Sequence, residues 1–238
     1  MGSAVEPISL ARLALILIPV AALIVIQWRW SISSRSTLYG MARMLAQLLA
    51  VGYVLVFLFE TDSALLISGV LFVMIAAASW IALRPLEAPG SHLYVLSLSA
   101  IAFGALPILY LATQWIIVIE PWYDPRYLIP LAGMIFSNAM NSVSLAAERY
   151  ASEIARGLSS PEARFAALQA AMIPLVNSLM AVGLVSLPGM MTGQVLSGVS
   201  PLIAARYQIL VMGMLFSASG IAAAAFLYLW SKRSPAAH

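Results

Sequence analysis

"ALLISGVLFVMIAAASWIAL", Ala64–Leu83, runs for twenty residues without one charged side chain. A helix crossing the hydrocarbon core of a bilayer needs roughly 20 mostly apolar residues. It also satisfies its own backbone polar groups, which lipid cannot do. The stretch therefore predicts a membrane-spanning helix, and the rest of the chain is built the same way. Of 238 residues, 63% are hydrophobic and 9% charged, with a mean hydropathy of +0.97. A soluble domain carries about 25% charged residues. So little polar surface cannot clothe a water-facing globule, and the chain reads as an all-α integral membrane protein.

Outward from this segment, further apolar runs fall at about 8–28, 41–59, 93–119, 127–147, 168–195 and 202–230, making seven spans with 64–83. The first could pass for a secretory signal, since Arg12 precedes it. Its apolar run instead continues to Ile26 and ends in "QWRW" without a small-residue cleavage site, so it reads as a retained span. Connections are short except 148–167. With no internal repeat or separate polar domain, the expectation is a single membrane domain over 1–238.

Lysine and arginine favour cytoplasmic loops. With the N-terminus outside, Arg29, Arg35, Arg43, Arg84, Arg149, Arg156, Arg164, Lys232 and Arg233 lie inside, against Arg12, Arg126 and Arg206 outside. The expected orientation is N-out, C-in. Glu60, Asp62, Glu120 and Asp124 then fall on outer connections, and Trp28, Trp30, Trp122 and Tyr123 sit where interfacial aromatics belong. The formal net charge of +3 is spread over loops and does not form a nucleic-acid patch.

The one long inner connection reads "AERYASEIARGLSSPEARFAALQ", Ala147–Gln169. Tyr150, Ile154 and Leu158 recur at four-residue steps, one apolar stripe on a short helix, with Glu148, Arg149, Glu153 and Arg156 on the other faces. Gly157 suits a helix end. "SSPE" then restarts a helix, with a serine cap, Pro161 in the first turn and Glu162 at the positive end of the dipole. The expectation is two short surface helices that dock on a cytoplasmic partner; the plainer alternative is an interfacial helix resting on headgroups.

Several chemistries are excluded. There is no cysteine, so no disulfide or thiolate metal site. A P-loop needs G-x-x-x-x-G-K-[ST], and the only lysine, Lys232, is followed by Arg233. Any ATP use must come from another polypeptide. No G-x-S-x-G or H-E-x-x-H occurs, and His92 has no carboxylate partner deep in the membrane, so an enzyme is not expected.

Polar side chains inside spans are costly and face protein or water. Arg43 and Gln47 share a face of the second span, where Arg43 can also snorkel to the interface. In "GMIFSNAMNSVS", Asn138, Asn141 and Ser142 fall at i, i+3 and i+4, with Ser137 and Ser144 nearby. Asn177 and Ser178 follow Pro174. Helix packing explains any one of these; the stripe as a whole predicts a substrate path through Arg43, Gln47, Asn138, Asn141, Asn177 and Ser178. The twelve methionines read as packing filler. In "VNSLMAVGLVSLPGMMTGQ", Val176–Gln194, Gly189, Gly193 and Ser197 are spaced by four, a small-residue face for close helix contact. Pro188 loosens the helix before it. Pro188, Gly189 and Gly193 are thus the candidate gate.

"GLVSLPGMMTG", "IPLAGMIFSNAM", "RMLAQLLAVGYVL" and "ARYQILVM" resemble the FetB-type permeases, membrane subunits of ABC transporters that include a bacterial iron exporter and plant relatives linked to aluminium tolerance. The likeness runs from about Arg43 to Tyr228. It implies a dimeric permease in the inner or plasma membrane, exporting iron or another metal. A separate ATP-binding subunit, which holds ATP-Mg, would dock through Tyr150, Glu153, Ile154 and Gly157. Two departures stand out. After the proline of the sixth span that family reads Asp-Ser-x-Lys, where "PLVNSLM" has Asn177 and Met180. The inner loop is also shorter. The lost charge pair opens an alternative, export of a nucleotide sugar or other organic solute. The short loop opens another, a non-transporting scaffold.

Overall fold

The computed structural model describes residues 8–31, 33–87 and 89–233. Among these, seven helices are long and apolar enough to cross a membrane, and no strand occurs. The chain divides into two compact units, Met1–Thr61 and Asp62–His238, each described by itself.

In the first unit, α1 (Leu10–Ala14) and α2 (Leu17–Arg29) form one span with a turn between them, and α3 (Ser34–Phe59) forms the second. The Ser9 hydroxyl caps α1 by accepting the Arg12 N–H at 3.4 Å. The second span starts well before the expected position 41, because the Ser and Arg residues of 34–36 extend the helix instead of ending it. Trp28 and Trp30 are exposed at the end of α2, as an aromatic belt requires.

The second unit contains α4 (Ala64–Ala82), α5 (Ser91–Tyr110) continuing into a π-helical turn (Leu111–Ile116), α6 (Pro125–Ala155), α7 (Ser160–Ala181), α8 (Gly189–Leu196) and α9 (Pro201–Arg233). α9 is the hub, packed against α5, α6, α7 and α8. Where α6, α7 and α9 meet, the core is an alanine ladder. Ala163, Ala167 and Ala171 repeat at one-turn spacing and lie fully buried with Ala146, Tyr150, Ala223 and Leu227. Small side chains let helix backbones approach, the contact that lipid rewards when both solvent and core are apolar.

At Gly104 the backbones of α5 and α9 come close together. A Cβ placed on Gly104 would stand 2.7 Å from the Ala218 carbonyl oxygen and 2.7 Å from the Ala222 nitrogen. Only glycine fits. Gly189 and Gly193, expected to provide such a contact, have nothing within 4 Å of that position, so in this chain the close seam lies elsewhere.

The connections sort to two ends of the unit. At one, the Tyr123 hydroxyl donates to Asp62 Oδ1 at 2.8 Å; that bond and the nearby carboxylate charge raise the tyrosine's pKa above its usual value. At the other, Pro85–Glu87 and Pro89 line a cavity with the end of α6 and Trp230. Helices α4, α5 and α6 therefore run alternately up and down.

Two expectations are corrected. The connection over 148–167 is not a pair of short surface helices. Its first half, through Ala155, is simply the end of α6, and its second half from Ser160 is the start of α7. Only a turn separates them, made at Gly157 with φ +90. The restart matches its sequence signal: the Glu162 carboxylate accepts from the Ser159 N–H at 3.1 Å and its hydroxyl at 2.6 Å, a capping box. The sixth span does not reach 195. It ends at Ala181, where Val182 turns extended and Gly183 takes φ +84; α8 begins after Pro188, which is its N-cap. The break thus starts at Val182–Gly183, and Pro188 opens the next helix where a missing N–H costs nothing.

Candidate functional site

α6, α7 and α9 enclose a cavity of about 530 Å³. Asn138, Asn141, Ser142 and Ser144 from α6 and Pro174 and Ser178 from α7 line it, and Leu179, Met212 and Phe216 are among its apolar walls. The predicted stripe therefore does share one face, and it opens onto a space. Asn138 Nδ2 donates to the Met134 carbonyl at 2.9 Å, which fixes that amide and leaves its oxygen as an acceptor. Pro174 cannot donate to Ala170 one turn earlier, and such a proline bends a helix locally. The polar groups lining this space are neutral amides and hydroxyls. Among the described residues no three of His, Cys, Asp or Glu are grouped to hold a metal ion. A hard cation usually takes carboxylates among its oxygen ligands, so any cation here would meet neutral oxygens alone, most simply through its own bound water.

The other predicted path residues lie apart from it. Asn177 and Met180 are exposed on α7 and do not line the cavity; Ser178 alone of that group does. Arg43, half-buried, and Gln47, exposed, sit one turn apart on α3 in the first unit. Of the gate residues, Pro188, Gly189 and Gly193 form the start and middle of α8. Its hydroxyls bond inward to its own backbone, Thr192 to the Pro188 carbonyl at 3.2 Å and Ser197 to that of Gly193 at 2.8 Å. The cavity walls Leu179, Met212 and Phe216 were not singled out by sequence reasoning, since an apolar residue in an apolar span gives no signal.

The α6–α7 turn is rigid from within. Tyr150 is buried, its hydroxyl 3.0 Å from Ser160 Oγ and its ring 4.9 Å from that of Trp230. Glu153 is buried too, ion-paired with Arg149 and, at 3.5 Å, with Arg156. These two point into the bundle and hold the turn; they do not offer a docking face, and Tyr150 does not share a stripe with Ile154 and Leu158. The outward surface is Ile154, Gly157 and Leu158, all exposed. Beside it runs a groove of about 520 Å³ lined by Glu87 and Pro89 from the α4–α5 connection and by Glu148 and Ser152 from α6. Glu87 and Ser152 were missed; the proline-flanked "RPLEAPG" of the neighbouring connection was the available signal.

The family model described as "Uncharacterised protein family (UPF0014)" matches residues 9–234. The chain belongs to the UPF0014 family. Its UPF0014 relatives include "UPF0014 membrane protein slr1647" of Synechocystis, 37% identical over 87% of this chain and 87% of that one. "Probable iron export permease protein FetB" of Escherichia coli K12 is 37% identical over 91% and 88%, and "Protein ALUMINUM SENSITIVE 3" of Arabidopsis thaliana 31% over 89% and 84%. The resemblance drawn from the four motifs is thus a true family membership spanning nearly all of the chain. No solved structure matches this UPF0014 protein. With seven apolar helices and membrane-protein relatives, it is a multi-pass membrane protein.

Proposed function

We propose that this chain is the permease subunit of an ABC transporter, an exporter that works as a homodimer in the inner or plasma membrane and is driven by a separate ATP-binding subunit. The chain itself is not an enzyme; ATP-Mg belongs to the partner. The orientation is N-out, C-in, which puts the α6–α7 turn in the cytoplasm. One observation carries the reading: the helices that line the Asn138 cavity, α6 and α7, also end in the braced turn that exposes Ile154, Gly157 and Leu158. A push on the turn is delivered along two continuous helices to the cavity. The lack of any P-loop lysine in the chain and the printed name of the FetB relative agree with it.

The test is co-purification with a small ATPase followed by reconstitution. Ile154→Asp is expected to leave insertion intact and to abolish stimulation of ATP hydrolysis, because a charge replaces the apolar contact at the turn; unchanged coupling would refute the docking role. Asn138→Leu with Asn141→Leu is expected to cut solute-stimulated hydrolysis about tenfold or more, as two hydrogen bonds of about 1 kcal/mol each are lost.

The inherited substrate is iron or another metal. A second reading, a nucleotide sugar or similar organic solute, is favoured by the absence of carboxylates from the cavity lining. Ferrous ion and a nucleotide sugar, tried separately as stimulants, tell the two apart.

A further inference from the structure

Gln208 lies in "ARYQILVM", a motif of which the cavity described so far uses only the last residue, Met212. It is 5% exposed, and its Oε1 is buried without a hydrogen-bond partner. A buried polar atom left in dry protein or lipid costs about 1–3 kcal/mol, so its surroundings matter. Gln208 lines a second cavity of about 510 Å³, between the Val182–Pro188 break and α9, whose other walls include Gly183, Leu187 and Gly213. This cavity and the Asn138 cavity share two walls, Leu179 and Met212. Met212 stands one turn beyond Gln208 on α9. The polar lining of the first cavity, Asn138, Asn141 and Ser178, is thus separated from Gln208 of the second by an apolar pair common to both, and the Gln208 oxygen is covered but unpartnered.

From this we infer that the solute route continues through the Leu179–Met212 constriction into a water-filled chamber where the Gln208 carboxamide receives O–H donors, those of water bound to a metal ion or those of a sugar. The inference rests on the transport reading above. Gln208 is the acceptor on the far side of the constriction, and the helix break forms the chamber's other wall.

The chain contains no cysteine, so a single introduced thiol reports alone. Gln208→Cys, Asn138→Cys and, as a lipid-facing reference, Phe103→Cys (the native side chain is 68% exposed on α5) are treated in membranes with a small charged methanethiosulfonate. Only the thiolate reacts, and apolar surroundings suppress it. Gln208→Cys is expected to react within about tenfold of Asn138→Cys and at least about 100-fold faster than Phe103→Cys. A Cβ on Gly213 would meet nothing within 4 Å, so Gly213→Leu fills the chamber. It should slow Gln208→Cys about tenfold and leave Asn138→Cys unaffected, which also shows that the plugged protein is folded.

If Asn138→Cys reacts and Gln208→Cys is as slow as Phe103→Cys, the second chamber is off the route and the transport reading stands. If neither reacts, both fall. Oxidative crosslinking of Gln208→Cys between two chains would place the residue at a contact between copies and overturn the chamber. In the reconstituted complex, Gln208→Leu should lose the response to ferrous ion alone or to the nucleotide sugar, and the response lost identifies the donor; two unchanged responses overturn the acceptor role.

Discussion

Gly104→Ala lowers the thermal midpoint of the detergent-solubilised protein by roughly 6–12 °C, taking overpacking at about 3 kcal/mol and about 2–4 °C per kcal/mol for a chain of this size. The size of the effect follows from what the added methyl meets. It would sit 2.7 Å from the Ala218 oxygen and 2.7 Å from the Ala222 nitrogen, and both are backbone atoms of the hub helix. No rotamer change relieves the overlap; α5 and α9 must separate. Gly193→Ala is the matched control. It changes the same residue type inside a helix where the new methyl touches nothing, and an alanine there is favoured by roughly 0.5–1 kcal/mol. A midpoint that falls equally in both variants would show that the α5–α9 seam is not the tight one.

Tyr150→Ala has an effect at least as large, about 3–5 kcal/mol, the range for truncating a buried aromatic. The ring fills the junction of α6, α7 and α9 against Trp230, and its hydroxyl ties the end of α6 to the first residue of α7. Tyr150→Phe keeps the ring and removes only that bond, costing about 1 kcal/mol. Midpoints of the two variants separate packing from tethering. Should Tyr150→Ala unfold like the native chain yet fail to stimulate the ATPase, Tyr150 would be a contact residue and not a brace.

The spans are legible in the sequence because an uncharged run of twenty residues is long enough to cross a bilayer and too greasy for a water-facing surface. The Asn138–Asn141–Ser142 stripe is legible because polar side chains stand out in an apolar helix. The α6–α7 turn misleads for the opposite reason. Glu148, Arg149, Glu153 and Arg156 look like the solvated start of a loop, whereas the helix continues and the Glu153 charge is neutralised by its own neighbours. Spacing alone does not tell that Tyr150 turns inward while Ile154 turns outward. The tight seam is equally hidden. Gly189 and Gly193 have the textual pattern of close packing and no neighbour; Gly104 has the neighbour, drawn from an α9 so rich in alanine that no single position is marked. Asn177 attracts notice for its polarity beside Ser178, but one step along a helix turns it out of the cavity.

The loop that interrupts the sixth span keeps its hydrogen bonds to itself. The amides of Leu184, Val185 and Ser186 all turn to the Ala181 carbonyl, and Gly183 N–H meets the Ser186 carbonyl at 2.9 Å. Nothing in that knot is borrowed from the helix that follows. No hydrogen-bond ladder therefore joins α7 to α8 across Leu187–Pro188, and what seats α8 is its packing on α9.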